Sequence, residues 1–339
     1  MNEHKIAHKI SGYMGDDDHL DLNWKVLFKD IFRHHTSDDA EKIFSWGTSE
    51  TTPPVSTIST DWPCPWLYSR VFAVLMSAYI ILDVCFRLFA NTNVLPGVIT
   101  LGSFAMPVAT MVMFYELNAF RNLSFYKVFV LFLVGGCVSL LCTLILFDLI
   151  RFNPQELGFA EALVVGIIEE TGKAIVVFFA MKKLCKPNNI LYGLLVGAAI
   201  GAGFAAFESS GYAFNALLSR HLYQDAVGSI IIRGMLAPAG HVAWAAITGG
   251  ALAFAARNDS LSFKTIISKK FRRIFIIPIL LHFLWDSPLL LGLPMTRNLV
   301  LFFIVWLIVL ILVDMGMDEV KMLTAECQEP VETASQNSK

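Results

Sequence analysis

Seven side chains between positions 169 and 286 have types and spacings suited to hydrolysis. The segment LGFAEALVVGIIEETGKAIVVFFAMKK carries Glu169, Glu170 and Lys173 near its centre, and Phe204-Ala-Ala-Phe-Glu208 follows in the next apolar run. His241 then opens a third run in PAGHVAWAA, and His282 and Asp286 share a fourth in LHFLWDS. Carboxylates can take and return a proton, while imidazoles can donate to an oxyanion or bind a metal. A water attacking a carbonyl needs these services in one place.

The cost of such groups argues against accident. A charged side chain at mid-bilayer costs about 2.5–3.5 kcal/mol on insertion scales. Glu169 and Lys173, four apart, are expected to pair on one helix face. Glu170, rotated by about 100° from Glu169, must find another partner. His282 and Asp286 are also four apart, so both can face one point. Only three of the eight histidines lie beyond the N-terminal segment, and of these His221 falls in a loop and is read as idle. Asp83, Glu116, Asp148, Glu161 and Asp314 sit mostly near helix ends and are read as structural.

The elements that must position these residues follow from composition. Of 339 residues 55% are hydrophobic and only 16% charged, with mean hydropathy +0.60. A soluble domain usually carries about 25% charged residues, so lipid must solvate much of this chain. A net charge of -2 gives no reason to expect nucleic acid as a partner. Six cysteines without a C-x-x-C pair read as small hydrophobes.

Apolar stretches long enough to cross about 30 Å of hydrocarbon recur from Trp66 onward. They lie near 66–90, 94–117, 126–150, 158–181, 189–217, 237–256, 272–293 and 296–316. The expected architecture is all-α, a polytopic transmembrane bundle of about eight spans. Gly193, Gly197 and Gly201, spaced by four, form a stripe for close helix packing. Residues 1–65 form a polar segment: a small helical pair starting near Val26 and Ser37, then a flexible Thr/Ser/Pro linker. Residues 317–339 read as a polar tail. With the N-terminus inside, eleven Lys and Arg fall in inner loops and five in outer ones. This favours a plasma (inner) membrane protein with both termini cytoplasmic. Glu169, Glu170 and His282 then lie near the midplane, with Glu208, His241 and Asp286 in the outer half.

The motifs resemble those of the PrsW family of intramembrane proteases, related to the type II CAAX prenyl proteases and Abi proteins. E-E-x-x-K reads Glu169 to Lys173, F-x-x-x-E reads Phe204 to Glu208, and the histidine motifs read His241 and His282 to Asp286. The similarity spans roughly 95–315 and makes residues 66–316 a transmembrane protease domain. It implies an endopeptidase that cuts a membrane-anchored protein of the anti-sigma-factor kind, in site-1 fashion, on the extracytoplasmic side. Glu169 or Glu170 would activate water and Lys173 would fix the pair. His241 and His282, helped by Glu208 and Asp286, would bind a metal or polarise the carbonyl. His241, His282 and Glu208 would be the metal ligands. The relatives divide between metalloproteases and a glutamate-based mechanism, and zinc stays open. The prenyl proteases usually have Asn where this chain has Asp286. An ionised Asp cannot donate to an oxyanion, which favours a ligand or histidine-orienting role. A proton- or cation-coupled transporter, or a non-catalytic scaffold, would use the same residues differently. No two-fold internal repeat supports the transporter, and nothing in the sequence speaks to oligomeric state.

Overall fold

A computed structural model describes residues 3–15, 20–152, 158–184, 188–220, 223–257, 259–289 and 293–328. The described residues are helical, with no strand among them. His221, Cys185 and residues 290–292 lie outside them.

Three short helices precede the bundle: α1 (Glu3–Met14), α2 (Val26–Lys29) and α3 (Ser37–Phe44). The acidic start at Ser37 is a helix start as expected. Thr36 Oγ1 accepts from Asp39 N–H at 3.2 Å, and Thr36 N–H donates to Asp39 Oδ2 at 2.9 Å, a reciprocal cap. α1 was not foreseen, and the run from Val26 breaks at Asp30, leaving Phe32 exposed. The Thr/Ser/Pro stretch, expected to be a flexible linker, lies against the bundle with Ile58 buried.

The bundle comprises α4 (Leu67–Phe89), α5 (Leu95–Leu117), α6 (Phe125–Val130), α7 (Gly136–Ile150), α8 (Phe159–Leu184), α9 (Ile190–Arg220), α10 (Tyr223–Leu236), α11 (His241–Ala255), α12 (Phe263–Ile267), α13 (Lys269–Asp286) and α14 (Pro294–Gln328). A π-helical turn at Leu131–Gly135 joins α6 to α7, and a 3₁₀ turn at Ala237–Ala239 joins α10 to α11. Six helical segments are long and apolar enough to cross a membrane. α8 and α13, which carry five of the seven singled-out polar residues, are not among these six, and the count among the described residues is roughly consistent with the eight expected. The chain is therefore a multi-pass membrane protein. Two details differ from the sequence reading. The stretch before His241 is a helix, α10, where a loop was expected. α14 runs through Gln328, so residues 317–328 are helical, with Met317 and Val320 buried.

Buried carboxylates tie helix ends together. Glu116, near the end of α5, accepts from the N–H groups of Trp66, Leu67 and Tyr68 at 2.8–2.9 Å and so caps α4. Glu319 of α14 accepts from Ile190 N–H at 2.7 Å and pairs with Arg257 at 3.2 Å, capping α9. The N-terminal segment closes this same end. Asp21 N–H donates to Asp314 Oδ2 at 3.1 Å, and Tyr115 Oη donates to the carbonyls of Ile43 and Trp46. Both ends of the described chain thus meet at the end where α4 begins and α14 finishes. Glu116 and Asp314 have the structural roles expected of them.

The glycine stripe does what its spacing suggests. A Cβ on Gly193 would overlap the Gly249 carbonyl, one on Gly197 the Ala245 carbonyl, and one on Gly201 the His241 carbonyl. The backbones of α9 and α11 run in direct contact, which sets the height of His241 against α9. Gly197→Val should therefore lower stability by at least about 1–3 kcal/mol, measured as thermal unfolding in detergent. Gly211→Ala, where a Cβ meets nothing within 4 Å, is the control.

Candidate active site

The site is assembled from the middle of α8, the second half of α9, the start of α11 and the end of α13. All four positions lie away from the end closed by the N-terminal segment. Gly166 lets α8 approach α13 closely. A Cβ there would stand 3.2 Å from the backbone of Ile279 and Phe283 and 3.5 Å from His282 Cβ.

An inner layer is fully buried. Lys173 Nζ donates to Glu170 Oε1 at 2.6 Å, and the same oxygen is 2.8 Å from His282 Nδ1. Glu170 and Lys173 are 0% exposed and His282 3%. The lysine lies 2.8 Å from His241 Nδ1 and 4.6 Å from the centre of the Phe204 ring. The aromatic residue of F-x-x-x-E is thus the floor beneath the ammonium. The expected Glu169–Lys173 pair is not formed: the lysine turns to Glu170, three residues back. Positions three and four residues away are both neighbours on a helix, and the 100° between the glutamates sends Glu170 inward and Glu169 toward a cavity.

That cavity, of about 400 Å³, is lined by Glu169, Glu208, His241, His282 and Asp286, with Trp244 stacked on His282 at 4.5 Å. Asp286 Oδ2 is 3.1 Å from His282 Nε2, an orienting contact. Glu208 Oε2 is 2.9 Å from His241 Nε2 and also meets Arg233 Nη2. Glu169 Oε2 is buried without a hydrogen-bond partner, 3.8 Å from His282 Nε2 and 4.0 Å from His241 Nδ1. All seven residues singled out in the sequence meet in these two layers.

Glu169, His241 and His282 form a group compact enough to hold a metal ion. The donors fit one: two imidazoles, a carboxylate, and an orphaned buried oxygen between them. The three donor atoms lie within 4.8 Å of one another, so a bound metal would draw them closer together. Glu169, not the expected Glu208, completes this group. Glu208 sits on the Nε2 edge of His241, engaged by Arg233.

Arg233 and Trp244 are among the cavity residues that the sequence did not point to. Arg233 was counted among outer connections, although the apolar spacing in YQDAVGSIIIRGML was available to mark a helix. Trp244 lies three residues after His241, a spacing that places both on one face.

A bundle that buries a carboxylate–imidazole chamber inside membrane-crossing helices has the build of an intramembrane hydrolase. The family model for the PrsW family intramembrane metalloprotease matches residues 124–313, and the chain belongs to that family. It is thus an intramembrane protease acting on membrane proteins. No curated protein and no solved structure matches it.

The inner layer makes a stability prediction. Lys173→Met would strand a buried carboxylate and should cost about 3–5 kcal/mol. Adding Glu170→Gln should recover much of that loss. Unfolding midpoints of the two variants in detergent measure both effects.

Proposed function

We propose that the chain cleaves a single-span, membrane-anchored protein of the anti-sigma-factor kind, with Glu169 as the group that activates water. One observation carries the assignment: Glu169 Oε2 is buried at the cavity wall without a partner, facing two imidazole nitrogens. Glu170 also has an Oε2 without a partner, but it is fully buried away from the cavity lining and its Oε1 is held by Lys173 and His282, which makes it the weaker candidate. Glu169 takes a proton from water as the oxygen attacks the scissile carbonyl carbon. His282, oriented by Asp286, serves the developing oxyanion, while His241, held by Glu208, turns its Nδ1 toward the site. The C–N bond then breaks, and Glu169 returns its proton to the leaving amine.

The metal in this reading is zinc, which His241 and His282 would hold with the Glu169 carboxylate beside it as the base; when bound it would acidify a water and polarise the carbonyl. The family's description as a metalloprotease and the convergence of the three donors support it. Residues 66–316 would be the catalytic unit in the plasma membrane, with both termini cytoplasmic. The position of the chamber, away from the N-terminal segment, supports cleavage toward the extracytoplasmic border.

Glu169→Gln should abolish cleavage of a reconstituted single-span substrate while leaving the unfolding temperature close to wild type. Full proteolysis by that variant would refute the assignment. Chelation should remove activity and stoichiometric zinc together, and zinc should restore both; cleavage undiminished in chelator would leave the imidazoles acting directly on the carbonyl.

A further inference from the structure

Arg233 is held in a way that surface arginines are not. Its Nε donates to Ser209 Oγ at 3.0 Å, its Nη2 reaches Glu208 Oε2, and its guanidinium lies 4.2 Å from the centre of the Tyr212 ring. All three partners belong to α9, whereas Arg233 comes from α10. The far end of α10 is fastened separately: Tyr223 Oη donates to Asp83 Oδ1 of α4 at 2.5 Å, and Arg87 holds Asp83 at 2.7 Å. A planar guanidinium with fixed donors suits two acceptors and a ring face at once.

Glu208, so held, is 2.9 Å from His241 Nε2, and Lys173 Nζ is 2.8 Å from His241 Nδ1. A carboxylate can only accept and an ammonium can only donate. The two contacts together fix His241 as the Nε2–H tautomer, with the Nδ1 lone pair turned toward Lys173 and Glu169. Without Arg233, Glu208 would keep only a neutral ring as its strong partner, and the imidazole would lose its orientation.

We propose that Arg233 is a positioning residue for proteolysis, which sets the orientation of His241 through Glu208. The inference rests on the hydrolytic reading above. In purified full-length protein, Arg233→Gln should lower kcat about 10–100-fold, the usual cost of losing an outer partner of a working histidine. KM should stay within about twofold, because Arg233 turns its Nε and Nη2 to Ser209 and Glu208 and acts through the latter. Arg233→Lys should recover part of kcat. In a Glu208→Gln background, Arg233→Gln should cost little more, since the route through Glu208 is already cut. Additive losses, a change confined to KM, or wild-type kcat in Arg233→Gln would each overturn the proposal. If Arg233→Gln does not fold, the Arg233→Lys rate with and without Glu208→Gln gives the same test. Absence of cleavage by the wild-type protein would sink the hydrolytic reading itself; an active wild type beside an unaffected Arg233→Gln would sink only this inference.

Discussion

The structure depends on one buried ion pair. Lys173 and Glu170, 2.6 Å apart and both fully buried, occupy the interior of a bundle otherwise built from apolar side chains. Neither charge would be tolerated there alone. Their presence obliges the neighbouring helices to supply polar partners, and each does so with one residue type it could otherwise spare. α13 brings His282 to the same Glu170 oxygen that Lys173 holds, α11 brings His241 to the ammonium, and α9 places the Phe204 ring beneath it. The pair is therefore a coordinate origin for the chamber, from which the positions of the working groups follow.

Such a frame requires helices that approach more closely than ordinary side chains allow. The glycine stripe on α9 brings it against the backbone of α11, and Gly166 does the same between α8 and α13. These contacts fix relative height as well as distance. His241 and His282 arrive opposite the α8 glutamates because their backbones have nowhere else to go. Close packing and chemistry are thus linked through backbone contact.

Much of this was legible in sequence because hydrocarbon makes polar residues conspicuous. Glu169, Glu170, Glu208, His241, His282 and Asp286 stood out against long apolar runs, and helical spacing placed them on compatible faces. What could not be read was which neighbour each would choose. Three- and four-residue separations are nearly equivalent on a helix, so the lysine's preference for Glu170 over Glu169 depended on where α13 and α11 would bring their histidines. Arg233 was missed for a different reason. Its helix, of 14 residues, is too short to cross by itself, and charge counting assigned it to a connection. The docking of the N-terminal segment was also hidden, since hydrogen bonds such as Asp21 to Asp314 join positions 293 residues apart.

The asymmetry between the two glutamates gives the chamber its direction. Glu170 faces inward, where its charge is balanced and its contacts are complete on Oε1. Each glutamate has an Oε2 without a partner, but only Glu169, one residue away, presents its carboxylate to the cavity. A relay for ions or protons would need a continuation of polar groups beyond this point toward the other end of the bundle. The region below the inner layer instead contains Val176, Val177 and Phe178 on α8 and Leu194, Leu195 and Val196 on α9, all buried. Among the described residues the charged groups of the chamber thus end at Lys173, beside a largely apolar layer. A chamber open on one side and closed on the other can admit water and a peptide bond without conducting charge across the membrane, which favours hydrolysis over transport.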